Sequence, residues 1–104
     1  MKSNITKTAL ITGASRGIGK ATAEVFAAQG FSLILTCQNS MELLRSFSEQ
    51  LEKKYNISCK AIQADMGCEE DVTSLFEQIA SLDVLVNNAG IAHIGLLTDM
   101  TSQQ

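Results

Sequence analysis

Between residues 8 and 87 short apolar runs alternate with longer stretches in which apolar residues return every three or four positions. Thr8-Ala9-Leu10-Ile11 reads as a first strand, too short and too uniformly apolar for a helix. Beyond a glycine-rich turn, Ile18, Ala21, Val25 and Ala28 recur at helical spacing. They predict a helix that opens out of the turn into the amphipathic segment 20–29 with these four on one apolar face, and Gly30 sits where a C-terminal stop belongs. Phe31 to Cys37 predicts a second strand, bounded by Gln38-Asn39-Ser40. Ser40 is placed to cap a second helix with the stripe Met41, Leu44, Phe47 and Leu51, which Tyr55-Asn56 ends. Ile57 to Gln63 is a third strand, less apolar and therefore nearer a sheet edge. Val72, Leu75, Phe76 and Ile79 mark a third helix, with Glu69, Glu70 and Asp71 in the first turn, where the helix dipole favours negative charge. Asp83 to Asn87 is a fourth strand, nearly all apolar, as in strands covered on both faces.

Four strands alternating with three helices predict an α/β fold, the βαβαβαβ half of a Rossmann-like doubly wound parallel sheet. Right-handed crossovers and a switch after the third strand give the order 3-2-1-4. A ligand then belongs at the carboxyl ends of strands one and four. Prolines, repeats and linker-like tracts are absent from the 104 residues, so no domain boundary is expected. Thr101-Ser102-Gln103-Gln104 fits a capping box and announces another helix. The expectation is that residues 1–104 are the N-terminal half of a single Rossmann-like domain, with its C-terminal half outside this chain.

Charge and composition narrow the function by exclusion. A net charge of −3 and a pI near 5.0 make no electrostatic case for nucleic acid or an anionic membrane surface. No apolar run approaches the ~20 residues of a membrane span, and the N-terminus lacks the apolar core of a signal peptide. Cys37, Cys59 and Cys68 form no CxxC pair, and His93 is the single histidine, so no metal site is expected. An odd number of cysteines suits a reducing compartment, and the expectation is a cytoplasmic protein.

The chemistry concentrates in Thr12-Gly13-Ala14-Ser15-Arg16-Gly17-Ile18-Gly19, between the first strand and the first helix. Unpaired N–H groups and the positive end of the helix dipole meet there, and glycines let backbone approach a phosphate closely. The spacing Gly13-x3-Gly17-x-Gly19 is not GxGxxG. Nor is it a P-loop, because Ile18 stands where the second glycine belongs and Ala21 follows Lys20. Taken alone, the turn could also serve only close strand–helix packing.

Two further stretches extend the pattern: Asp65 after the third strand, and Asn87-Asn88-Ala89-Gly90 after the fourth. With the glycine turn they make the chain resemble the short-chain dehydrogenase/reductase family, in particular its 3-oxoacyl-[acyl-carrier-protein] reductase-like members. The residues match that family's TGxxxGxG, its adenine-contacting Asp and its NNAG, in order and across essentially the whole chain. The resemblance implies that Gly13, Ser15, Arg16, Gly17, Ile18 and Gly19 hold a cofactor pyrophosphate. It implies that Asp65 accepts a hydrogen bond from the adenine amino group with Met66 flanking the ring. Asn87, Ala89 and Gly90 would border the ribose and nicotinamide. From the residues alone, Asp65 could equally be a solvated loop acid, and Asn87 and Asn88 turn residues satisfying local backbone.

In the family this chain resembles, cofactor choice rests on the end of the second strand. NAD-preferring members place an acid there, and NADP-using ones often carry an Arg in the glycine turn. Cys37 and Gln38 offer no carboxylate to repel a 2′-phosphate, and Arg16 could reach one, so NADP(H) is expected over NAD(H). The family's catalytic Tyr-x-x-x-Lys and Ser have no counterpart here: Tyr55 is the single tyrosine, and Cys59 stands four residues on. His93 is taken as an ordinary loop residue. The implied function of the intact protein is hydride transfer between nicotinamide and a carbonyl or alcohol such as a 3-oxoacyl thioester, in a homo-dimer or homo-tetramer. The alternative is a non-catalytic nucleotide-binding module or an inactive fragment. Only Ala80-Ser81-Leu82 separates the third helix from strand four, a shorter connection than in many relatives.

Overall fold

The structure is a computed structural model that describes residues 6–88. β1 (Thr8–Thr12), α1 (Gly17–Ala28), β2 (Ser32–Cys37), α2 (Met41–Tyr55), β3 (Cys59–Gln63), α3 (Glu69–Glu77) and β4 (Val84–Asn87) follow in chain order. The strands form one parallel sheet in the order β3-β2-β1-β4, as the alternation predicts. β3 is an edge, in keeping with its lower apolar content.

Side-chain alternation divides the core between the two faces. Ala9, Ile11, Leu33 and Leu35 pack with Leu44, Phe47 and Leu51 of α2 and Ala23 and Ala27 of α1. Leu10 and Ile34 point the other way, onto Val72 and Leu75 of α3. β1 is buried almost throughout because helices cover both of its faces. β4 is apolar too, yet its four residues are only half-buried, and among the described residues it pairs with β1 alone.

The face predicted for α1 is wrong. Ile18 and Val25 are 75% and 59% exposed, whereas Gly19, Ala23 and Ala27 are buried. The fully buried positions of the helix are all small, with Phe26 packed beside them, and the clearance is tightest at Gly19. A Cβ built on Gly19 would lie 2.2 Å from the Gly13 carbonyl oxygen. In a helix apolar on most sides, periodicity cannot tell which stripe turns inward.

The end of α1 is as expected. Gly30 takes a left-handed φ of +88°, the Phe31 N–H reaches the Phe26 carbonyl, and the Gly30 N–H reaches that of Ala27. This is a Schellman closure, sealed by the Phe26 and Phe31 rings edge to face at 4.9 Å. α2 ends on left-handed Asn56. Ser40 stands at the N-cap of α2 but makes no side-chain cap; its hydroxyl is engaged elsewhere. Observed strands begin one or two residues later than predicted: at Ser32, Cys59 and Val84. Ala89, Gly90, His93 and the predicted cap at Thr101 lie outside the described residues.

Candidate functional site

The carboxyl ends of β1, β2 and β3 meet the glycine turn on one edge of the sheet. Gly13 and Gly17 have φ of +63° and +65°, a region that L side chains rarely adopt. The Ala14 N–H donates to the Thr36 carbonyl at 3.0 Å, which fastens the turn to the end of β2. Arg16 is the extended N-cap of α1, so the first helical N–H groups, from Gly17 onward, have no partner within the helix. A Cβ on Gly17 would meet nothing within 4 Å, whereas one on Gly19 would strike Gly13 and Asn88. The turn is therefore open at Gly17 and closed at Gly19, a cradle with room on its outer side. Ser15 is half-buried, and Ile18 projects into solvent beside it.

Two residues that the sequence reading did not assign to the site hold this turn from behind. Thr12 is fully buried; its hydroxyl donates to Asn87 Oδ1 and accepts from the Asn88 N–H, both at 2.9 Å. Asn88 Nδ2 donates to the Gly13 carbonyl at 3.3 Å. Asn87 and Asn88 thus do more than satisfy local turn backbone. The signal was present in the motif itself, where Thr12 and Asn88 flank the residues chosen.

Arg16 reaches across to the connection between β2 and α2. Its Nη2 donates to Ser40 Oγ at 3.2 Å, while Ser40, at φ −112° and ψ 50°, makes no side-chain cap on α2. Gln38 is exposed, and its carbonyl accepts from Gln63 Nε2 at 2.9 Å. A guanidinium, a hydroxyl and an exposed amide side chain stand at the end of β2, with no acid among Cys37, Gln38 and Asn39.

A cavity of about 220 Å³ opens among Gly13, Thr36, Cys37, Gln38, Ala64, Asp65 and Met66. The Thr36 hydroxyl, in its wall, is buried without a hydrogen-bond partner. Asp65 is half-buried; its Oδ1 accepts the Gly67 N–H at 2.9 Å and its own N–H donates to Asp71 Oδ2 at 2.8 Å. Met66 is 8% exposed and packs into the α3-side core while bordering the cavity. A larger hollow of about 330 Å³ runs along α3, but Glu69, Glu70 and Glu77 line it and repel phosphate. Gly13, Ser15, Arg16, Gly17, Gly19, Gln38, Asp65, Met66 and Asn87 therefore share one edge of the sheet.

Left-handed glycines, the open helix start and a cavity at the strand ends whose one acid is Asp65 are the donor set and shape that a dinucleotide fits. Fold and strand order define a Rossmann-like parallel sheet. The family model described as short chain dehydrogenase matches residues 7–104. The chain belongs to the short-chain dehydrogenase family.

Among relatives, an uncharacterized oxidoreductase, YmfI, of Bacillus subtilis is 37% identical over 95 residues, 90% of this chain and 39% of its own. The 3-oxoacyl-[acyl-carrier-protein] reductase FabG of Staphylococcus aureus is 38% identical over 104 residues, 96% of this chain and 42% of its own. The chain thus spans about two fifths of the curated relatives it matches. A short-chain dehydrogenase of Sphingobium yanoikuyae, solved with NADPH, superposes with a TM-score of 0.74 at 35% identity, over 83% of this chain and 35% of that one. L-sorbose reductase of Gluconobacter frateurii, solved with NADPH and L-sorbose, gives a TM-score of 0.76 at 33% identity, over 83% and 34%.

Proposed function

We propose that this chain is the N-terminal, cofactor-binding half of an NADP(H)-dependent oxidoreductase. Gly13, Ser15, Arg16, Gly17, Ile18 and Gly19 would hold the pyrophosphate, with Gln38 and Arg16 at the adenosine ribose. Asp65 and Met66 would take the adenine, and Asn87, with Ala89 and Gly90, the nicotinamide side. The carrying observation is Arg16: it spans from the phosphate turn to Ser40 at the end of β2, where no carboxylate opposes a 2′-phosphate. NADPH bound in the Sphingobium and Gluconobacter relatives supports the same choice.

Bound nicotinamide supplies the hydride acceptor or donor. This chain's contribution would be to bind and orient: donors at the start of α1 would hold the phosphates, and the ties from Asn88 to Thr12 and Gly13 would keep that turn from opening. The intact protein would exchange hydride with a small carbonyl or alcohol, a 3-oxoacyl thioester or similar, as the reductase name of the Staphylococcus relative suggests. Its catalytic Tyr, Lys and Ser would lie outside residues 1–104, and it would be a cytoplasmic homo-dimer or homo-tetramer. The three free thiols support a reducing compartment. Among the described residues, no helix is long and apolar enough to cross a membrane.

A second reading, a nucleotide-binding module without catalysis, is favoured by one observation: Tyr55 lacks a lysine four residues on. Titration with NADPH, NADH and ATP, followed by nicotinamide fluorescence and competition, tests the binding common to both. NADPH should bind tightest, and preference for ATP would overturn the first reading. Carbonyl-dependent NADPH oxidation by a chain of the relatives' length separates the two.

A further inference from the structure

The turn that presents Asp65 is clasped from one side by α3. The Asp65 N–H donates to Asp71 Oδ2 at 2.8 Å, and its carbonyl accepts the Cys68 N–H at 2.9 Å. From the other side, the Ala64 N–H donates to the Cys37 carbonyl at 3.0 Å. Asp71 stands at the third helical position of α3, where an acidic side chain ordinarily turns back to the N-cap amide. The N-cap here is Cys68, and Asp71 passes it to reach a residue three positions earlier. Its hydrogen bond therefore fixes the loop that borders the cavity rather than the first turn of the helix.

This arrangement carries the Asp71 carboxylate past its own helix start to the backbone amide of a second acidic residue. A helix start alone does not require it. What it secures is the attitude of Asp65. One carboxylate oxygen is committed to Gly67, and the backbone on both sides of the side chain is pinned, so the second oxygen is presented in a fixed direction.

We propose that Asp71 is a positioning residue for purine recognition: by holding the Asp65 amide it orients the Asp65 carboxylate to accept from the exocyclic amino group of adenine. The proposal rests on the NADP(H) reading above. Adenine offers a donor at that edge, whereas hypoxanthine offers a carbonyl that a carboxylate repels, so the site should distinguish the two bases.

The test is a fluorescence titration of the 104-residue chain with NADPH and with its deaminated analogue carrying hypoxanthine. The wild-type chain should prefer NADPH by roughly tenfold, the effect of one hydrogen bond to a charged acceptor. Asp71→Ala should bring the ratio to within about twofold, chiefly by weakening NADPH, with the analogue little changed. Asp71→Asn, which keeps an acceptor oxygen at the same reach, should restore the wild-type ratio. Should Asp71→Ala not fold, Asp71→Ser, whose hydroxyl falls short of Asp65, should lose the ratio in its place. An unchanged ratio in the folded Ala or Ser variant, or equal weakening of both ligands, overturns the role of Asp71 alone. A wild-type chain that binds NADPH without preferring it to the analogue overturns the adenine contact of Asp65, and no NADPH binding at all overturns the cofactor reading.

Discussion

Asn88 Nδ2 donates to the carbonyl of Gly13 across 3.3 Å, tying the residue after β4 to the first residue of the glycine turn. The two are 75 positions apart, and parallel pairing of β1 with β4 brings them together. Asn88→Ala removes the donor and should destabilise the fold by about 1 kcal/mol while weakening NADPH. Asn88→Asp sets an acceptor against an acceptor and should cost about 2 kcal/mol. Urea unfolding of the pair gives the order; an Asp variant as stable as the Ala variant would show that the amide does not serve Gly13.

Gly17 and Gly19 should respond in opposite ways to the same change. At Gly19 a methyl group would lie 2.2 Å from the Gly13 carbonyl oxygen, where backbone must move. Gly19→Ala should therefore cost about 3 kcal/mol, the upper range for overpacking. At Gly17 the methyl group meets open space, and the left-handed φ of +65° sets a penalty of about 1 kcal/mol. Gly17→Ala should stay folded yet lose nucleotide binding, because the methyl group occupies the outer side of the cradle. Melting curves beside NADPH titrations distinguish a folding effect from a binding effect.

Most of the architecture was legible because it depends on local pattern. Four apolar runs, the α2 stripe of Leu44, Phe47 and Leu51, and the acids opening α3 all read directly, and handedness supplied the order 3-2-1-4. What escaped depends on contacts made only after folding. The inward face of α1 is set by the clearance at Gly19, which no periodicity reveals. Ser40 is the residue type of a cap, but its backbone sits at φ −112° and ψ 50° and its hydroxyl meets Arg16, 24 residues earlier. Thr12 and Asn88 become partners through strand register, and Asp71 resembles an ordinary first-turn acid until its 2.8 Å bond to Asp65 is seen.

Arg16 should set the preference between the two nicotinamide cofactors. Arg16→Gln leaves the backbone cradle intact and removes the charge beside Ser40. NADPH affinity should fall about tenfold, as for loss of one charge-assisted contact, while NADH changes less than about twofold. Equal weakening of both would show that Arg16 serves the shared pyrophosphate instead.

On the far side of the helices, Glu24 Oε2 accepts from Lys54 Nζ at 2.9 Å and from the Tyr55 hydroxyl at 3.1 Å, joining α1 to α2. The hydrogen bond from Lys54, aided by that from Tyr55, holds the Glu24 carboxyl below its ordinary 4.5. The same bond to Glu24 raises the Lys54 ammonium above its ordinary 10.5. With its folded value lowered, Glu24 contributes stability above pH 4.5 that is lost as pH falls through that folded value. Lys54 contributes below pH 10.5 and loses its contribution as pH rises through its raised value. The stability difference between wild type and Glu24→Gln should be greatest near neutrality, shrink at both extremes, and shrink again in high salt because the pair is exposed. A difference independent of pH would assign the contact to packing.

The three thiols should react in a set order. Cys68 is half-buried at the start of α3, whereas Cys37 and Cys59 are 4% and 6% exposed. Burial raises the Cys59 thiol above its ordinary 9.0, so little of it ionises while the chain is folded. The corresponding stability is present below pH 9.0 and is lost as pH rises through the raised folded value. Labelling with an aromatic disulfide near neutral pH should give one fast thiol, abolished by Cys68→Ser, and two slow ones. The slow pair should then separate on adding NADPH. Cys37 lies in the wall of the cavity beside Gln38 and Asp65, so a bound adenosine shields it. Cys59, at the opposite end of the sheet beneath Ser48, should keep its rate apart from the general gain in stability that ligand binding confers. Peptide mapping of the slow label measures this directly, and protection of Cys59 without Cys37 would place the nucleotide away from the carboxyl ends of the strands.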